Sequence, residues 1–297
     1  MSDGVAYTTL IDATTLAGRL DDANWRIFDC RHQLADPAAG ERAYLAGHLP
    51  GARFLHLDRD LSGPRPGRLC GGRHPLTEPA GLLARLAAAG VTPRTQVVAY
   101  DDAGGMIAAR LWWLLRWLGH AAVAVLDGGL PAWQQAGLPL TTEMPADTAP
   151  GTRVAPAPEA AAPGPRSRCV ALDEVIAGLG SPGRVIVDAR SPDRYRGENE
   201  TLDPVGGHIP GAVNRFFRDN LDADGRFKPA SQLRSEWTAL LAGLPPAAVV
   251  HQCGSGVSAC VNILAMEVAG LSGSRLYAGS WSEWCADPAR PVAVGPG

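Results

Sequence analysis

The run Ala247-Ala248-Val249-Val250-His251-Gln252 leads directly into Cys253-Gly254-Ser255-Gly256-Val257-Ser258, which leads into Ala259 to Ala269. The first six residues read as a buried strand. The last eleven place Val261, Leu264, Ala265 and Val268 at helical spacing. A strand and a helix joined by a glycine-bearing loop form the repeating element of an α/β fold, in which helices cover both faces of a mainly parallel sheet. Ligands of such sheets sit beyond the carboxyl ends of the strands. Cys253 occupies that place.

Working outward, the chain repeats itself. Val249-Val250-His251-Gln252-Cys253 answers Val97-Val98-Ala99-Tyr100-Asp101, and Val187-Asp188-Ala189-Arg190 answers Phe28-Asp29-Cys30-Arg31. Gly207-His208-Ile209-Pro210-Gly211-Ala212 answers Gly47-His48-Leu49-Pro50-Gly51-Ala52, and Gly279-Ser280-Trp281 to Trp284 answers Gly128-Gly129-Leu130 to Trp133. Four matches in the same order mark a duplicated domain. Within the second copy, 184–188 and 247–252 are expected as strands, and 172–179 and 259–269 as helices. Between the copies, the tract from Thr141 to Arg168 is rich in Ala and Pro and has no apolar period, so it reads as an extended spacer. The division expected is 1–143, a linker at 144–166, and 167–297.

The length of 297 residues suits two domains, and an apolar content of 46% is enough for a core in each. A net charge of -3 with dispersed arginines gives no basic stripe for nucleic acid. Lys228 is the only lysine. Met1 to Leu20 shows no basic segment followed by an apolar run. The best membrane candidate, Met106 to Leu118, is short and interrupted by Arg110 and Arg116. The six cysteines (30, 70, 169, 253, 260 and 285) include no C-x-x-C pair, so neither zinc nor a thioredoxin-type motif is indicated. The expectation is a cytoplasmic protein with free thiols, needing no metal or organic cofactor and binding neither membrane nor nucleic acid.

The Cys253 loop has the composition of an anion cradle. Gly254 and Gly256 let the backbone curl so that successive N–H groups converge. The following helix adds the positive end of its dipole, and Ser255 and Ser258 offer hydroxyls, with Ser258 placed to cap that helix. Such surroundings favour a thiolate and, after sulfur transfer, a persulfide. A cysteine phosphatase would need an arginine six positions after the cysteine. That position is Ala259.

Cys253-Gly254-Ser255-Gly256-Val257-Ser258-Ala259 resembles the active-site loop of the two-domain rhodanese family, in its 3-mercaptopyruvate sulfurtransferase branch. The two Gly-His-Leu/Ile-Pro-Gly-Ala segments and Gly279 to Trp284 resemble the same family, and the likeness spans nearly all of the chain except the linker. It implies tandem rhodanese-like domains with catalysis in the second. The first copy agrees, because Asp101 stands where Cys253 stands and a carboxylate cannot carry sulfur. It also implies Cys253 as the sulfur carrier and Arg194 as the holder of the substrate anion, with Gly254, Ser255, Gly256, Val257 and Ser258 lining the substrate. Ser255, His74 and Asp58 match a Ser-His-Asp proton relay.

One departure stands out. The resembled enzymes carry a second substrate arginine some nine residues after the first, whereas here Glu198-Asn199-Glu200-Thr201-Leu202-Asp203 contains no basic residue. Arg73, Arg190 and Arg196 are the candidate replacements. His48 and His208 recur in both copies, including the one without cysteine, and are expected to be structural. Trp281 and Trp284 are expected to pack beneath the site. The expected activity moves sulfur from 3-mercaptopyruvate to cyanide, a small thiol or a thioredoxin-like acceptor. The alternatives are a thiosulfate-preferring enzyme and a non-catalytic binding module.

Overall fold

A computed structural model describes residues 6–65, 70–146 and 168–296. The expected linker 144–166 lies outside the described residues except for 144–146. The chain forms two compact units. Of the described residues, one comprises 6–61, 77–146 and 223–226; the other comprises 62–65, 70–76, 168–222 and 227–296.

In the first unit five strands form an all-parallel sheet: β1 (Leu10–Ile11), β2 (Trp25–Asp29), β3 (Arg53–Phe54), β4 (Gln96–Tyr100) and β5 (Val123–Leu126), in the order β1-β5-β4-β2-β3. Helices α1 (Ala13–Ala17), α2 (Ala39–Ala46), α3 (Pro79–Ala88), α4 (Ala108–Trp117) and α5 (Gly129–Gln135) flank it. Every residue of β4 and β5 is buried, which explains their unbroken apolar runs. The stretch Met106 to Leu118 forms α4, a ten-residue helix buried along nearly its whole length. Among the described residues no helix is long and apolar enough to cross a membrane.

The second unit repeats the plan. Strands β6 (Val185–Asp188), β7 (Val213–Asn214), β8 (Val249–Gln252) and β9 (Arg275–Leu276) are all parallel, in the order β7-β6-β8-β9. The counterpart of β1 is reduced to a single parallel bridge between Cys169 and Leu276. Helices α6 (Leu172–Ala177), α7 (Pro192–Arg196), α8 (Ala230–Leu241), α9 (Ala259–Val268) and α10 (Ser280–Trp284) complete the unit. The strand expected over 247–252 begins two residues later. Pro245 and Pro246 fix their φ angles and start a 3-10 turn over Pro246–Ala248, closed by Ala248 N–H donating to Pro245 C=O at 2.9 Å. The helix expected over 259–269 is α9, with Ala259 through Met266 all buried.

The repeated histidines are structural in both copies. His48 Nδ1 lies 2.8 Å from Tyr44 C=O and its ring stacks on Tyr44; His208 Nδ1 lies 2.9 Å from Tyr195 C=O and stacks on Tyr195. Trp281 and Trp284 are fully buried in the second core, and their indole N–H groups donate to Val205 C=O (2.8 Å) and Pro291 C=O (2.9 Å).

His251, in the middle of β8, lies fully buried against Trp237, and burial depresses its pKa to about 3. The unfolded chain protonates the same imidazole near pH 6.5, so acid favours unfolding between those two values. Each pH unit within that window is expected to cost the second unit about 1 kcal/mol. Thermal unfolding from pH 7 to pH 4 should show this slope, and His251→Leu should flatten it. An equal slope in both proteins would assign it elsewhere.

Candidate active site

The loop Cys253 to Ser258 joins the carboxyl end of β8 to α9, where sheets of this type bind ligands. Its first residue is held by main chain. Cys253 N–H donates to Ser280 Oγ (3.1 Å), and Cys253 C=O accepts from Trp281 N–H (3.0 Å). Gly254 C=O accepts from Ser282 N–H at 2.9 Å. Cys253 is 2% exposed.

The first copy shows what this loop shape does. Asp101 is buried, and its carboxylate accepts four backbone N–H bonds, from Ala103, Gly105, Ile107 and Ala108, at 2.8–2.9 Å. Burial pushes its carboxyl up, and the four donors pull against that. The loop after β4 is therefore an anion cradle that holds its own side chain. In the second copy sulfur replaces the carboxylate, and the N–H groups of Gly254, Ser255, Val257, Ser258 and Ala259 donate to no group among the described residues. Those donors remain available to an external or sulfur-borne anion.

The two glycines serve different ends. Gly256 has φ +75°, and a side-chain carbon there would fall 2.4 Å from Ala278 C=O. Gly254 needs no unusual φ; it is required for room. A carbon on it would lie 2.9 Å from Arg73 Nη2, and 3.6 and 3.7 Å from the Arg194 Nη atoms. Ser258 sits at the N-cap position of α9 without the expected side-chain cap, because its backbone is already helical (φ -66°, ψ -19°). A capping hydroxyl needs an extended residue there.

His74 Nδ1 lies 2.7 Å from Ser255 Oγ, with His74 3% and Ser255 6% exposed. The stretches 62–65 and 70–76, the second of which carries His74, belong to the second unit and are joined by Gly63 N–H donating to Pro75 C=O (2.9 Å). The second is fastened further by Gly71 N–H to Glu283 and by Arg73 N–H to Ser282 Oγ (3.0 Å). Asp58 belongs to the first unit, where its N–H donates to His56 Nδ1 at 3.0 Å.

Arg194, in the last turn of α7, sends Nε and Nη2 to Glu200 (3.0 and 2.8 Å) and Nη2 to Asp203 Oδ2 at 3.4 Å. Arg73 Nη1 donates to Asp203 Oδ1. Of the three candidate second arginines, geometry brings only Arg73 to the loop. Arg196 turns to Glu198, and Arg190 is 1% exposed, bonded to Asp188 and Gly207 C=O and lying over Trp281. Burial works against ionisation of Glu200, but Arg194 and the Leu202 and Asp203 N–H groups hold it below the usual range. Burial lifts Asp203 above that range in spite of Arg73.

Ser280 was not singled out from the sequence. It occupies left-handed backbone (φ 56°), rare for a side chain other than glycine, and its Oγ donates to Tyr277 C=O (2.9 Å) while accepting from Cys253 N–H. The repeat held the signal, since its counterpart Gly129 has the same φ, and a carbon there would meet Asp101 C=O at 2.3 Å. All six cysteines are free. Burial raises the Cys30 and Cys285 thiols, which suits packing roles. A cavity of ≈ 640 Å³ in the first unit, between Tyr44, Arg53, Arg85 and Met144, includes none of the site residues.

Two parallel α/β units repeat one plan, with an aspartate at the head of the loop in the first and a cysteine in the second. The model of the rhodanese-like domain matches residues 12–136 and 171–287, so the chain belongs to the rhodanese family. It is 49% identical to a probable 3-mercaptopyruvate sulfurtransferase of Pseudomonas aeruginosa, over 96% of this chain and 98% of that one. It is 33% identical to the thiosulfate sulfurtransferase of Bos taurus, over 87% and 84%. The crystal structure of the 3-mercaptopyruvate sulfotransferase SseA from Escherichia coli superposes with a TM-score of 0.75 at 30% identity, covering 93% of this chain and all of that one. The chain is an enzyme of the sulfurtransferase class.

Proposed function

We propose that Cys253 takes sulfur from 3-mercaptopyruvate, carries it as a persulfide and passes it to a thiophilic acceptor. The observation that carries this reading is the 2.7 Å contact between His74 Nδ1 and Ser255 Oγ, two residues beyond Cys253. A hydroxyl aligned by imidazole suits a donor with a carbonyl to polarise. Thiosulfate offers no carbonyl.

In the first half-reaction the Cys253 thiolate attacks the donor sulfur. The new S–S bond forms as the C–S bond breaks, and its electron pair passes to the carbon that becomes the pyruvate enolate. Ser255, held by His74, donates toward the carbonyl oxygen, and protonation at carbon completes pyruvate. In that step His74 Nδ1–H donates to Ser255 Oγ, which leaves the single Ser255 hydroxyl proton for the carbonyl, and Asp58 is assigned the orienting role by resemblance. Arg194 and Arg73 hold the donor carboxylate. The loop N–H groups stabilise the Cys253 persulfide. In the second half-reaction an acceptor nucleophile attacks the outer sulfur and returns Cys253 as thiolate, the ping-pong logic of covalent catalysis. Cyanide, small thiols or a thioredoxin-like protein meet that requirement.

The first copy, within 1–143, serves as non-catalytic support, followed by a linker at 144–166. Six free cysteines fit a reducing cytoplasm. Thiosulfate is the second reading, favoured by the two guanidiniums beside Gly254. The deciding experiment compares kcat/KM for both donors at fixed cyanide and follows the gain of one sulfur atom on the Cys253 peptide. Mercaptopyruvate should be preferred; a preference for thiosulfate overturns the donor assignment.

Arg194→Lys is expected to lower donor kcat/KM about tenfold and leave the acceptor half-reaction unchanged. Lysine keeps the charge near Glu200 but loses the planar fork that meets carboxylates on two edges. Pre-steady-state rates for the two halves check this, and an unchanged donor constant would remove Arg194 from the substrate site.

A further inference from the structure

We infer that Asp203 is a specificity-determining residue, which positions Arg73 and Arg194 together at Gly254 and offsets their charge so that the cradle favours a singly charged donor over a dianion. The inference rests on the sulfur-transfer reading of this site and extends it to how the donor is chosen.

The geometry separates the two ends of each guanidinium. Arg73 uses Nη1 for Asp203 Oδ1 and Leu202 C=O, while Arg194 uses Nε and Nη2 for Glu200 and Asp203 Oδ2. Arg73 Nη2 and Arg194 Nη1 donate to no group among the described residues, and both lie against Gly254. The carboxylates are the buried partners: the side chains of Asp203 and Glu200 are 3% and 4% exposed, against 23% for Arg73 and 19% for Arg194. The acids thus hold the guanidiniums from behind and leave one donor edge of each at the loop.

Among the described residues Asp203 is the only carboxylate shared by both of these arginines, so it sets their spacing. It is itself set by a turn in which Leu202 and Asp203 N–H groups donate to Glu200 Oε1 at 2.8 and 3.1 Å. Glu200 also reaches Arg190 Nη1 at 3.4 Å, and Arg190 pairs with Asp188. With the Arg190–Asp188 pair behind them, this connected cluster sets three guanidiniums against three carboxylates among the described residues, leaving it no net formal charge. A cluster with two open N–H edges and no net charge can bind one carboxylate by hydrogen bonds. A compact dianion beside a thiolate finds no excess positive charge, and in a partly buried site each uncompensated charge is costly.

Asp203→Asn tests this, since it keeps an oxygen for Arg73 and removes the charge. The thiosulfate-to-mercaptopyruvate ratio of kcat/KM, with cyanide as acceptor, should rise about tenfold, mainly through the thiosulfate KM. Asp203→Glu should return the ratio toward wild type. As a readout independent of turnover, sulfate and pyruvate binding to the Cys253→Ser protein is compared by calorimetry with and without Asp203→Asn; sulfate should gain relative to pyruvate. An unchanged ratio, or an equal fall for both donors, overturns the role of Asp203. Failure of wild type to gain sulfur on Cys253 from either donor instead overturns the sulfur-transfer reading, and the two results are read separately.

Discussion

Cys253→Ser is expected to lower sulfur transfer by more than about a thousandfold with the fold intact. A hydroxyl is close in size to a thiol but forms no persulfide. The residue is fixed by its backbone, through Ser280 Oγ on its N–H and Trp281 N–H on its C=O, and neither contact involves the sulfur. The loop should therefore keep its shape, and the unfolding temperature should stay near that of wild type. Turnover with cyanide and the mass of the Cys253 peptide after exposure to donor check the expectation. Sulfur appearing on Cys260 or Cys285, with activity surviving the substitution, would move the carrier to another residue.

The second large effect concerns stability. Arg190→Met is expected to destabilise the second unit by about 3–5 kcal/mol, because it leaves Asp188 buried with its charge unpaired. Asp188 is 0% exposed and takes Nε and Nη2 of Arg190, with Nη2 at 2.6 Å. The first copy repeats the pair as Asp29 with Arg31, Nη2 again at 2.6 Å, and adds the Tyr100 hydroxyl at 2.6 Å. In the second copy Gln252 occupies the register position of Tyr100, and its amide atoms bond to nothing among the described residues. Asp188 therefore lacks the third partner and leans more heavily on its arginine. Denaturant unfolding measures the loss, and Asp188→Asn combined with Arg190→Met should recover at least about half of it, since the buried charge is then gone. A loss below about 1 kcal/mol for the single variant would show that the pair carries little of the unit's stability.

The sequence by itself determined the duplication, the parallel α/β class and the place of Cys253. These rest on local signals: apolar runs such as Val97-Val98-Ala99 and Val249-Val250, the helical spacing after Ser258, and motifs repeated in order. It also separated the copies chemically, because Asp101 against Cys253 is a difference of side-chain chemistry that needs no coordinates. Tertiary structure decided what depends on residues distant in the chain. Arg73 and Gly254 are 181 positions apart, as are His74 and Ser255, and no periodicity relates them. The choice of Arg73 over Arg190 and Arg196 follows from where each guanidinium lies: Arg190 is buried on Asp188, Arg196 turns to the exposed Glu198, and Arg73 keeps an open edge at the loop. The use of Gly254 for room rather than for φ, the left-handed Ser280 beneath Cys253 and the uncapped Ser258 follow in the same way. Each depends on where a neighbour's atoms lie in space, which residue type constrains only weakly until packing fixes the distances.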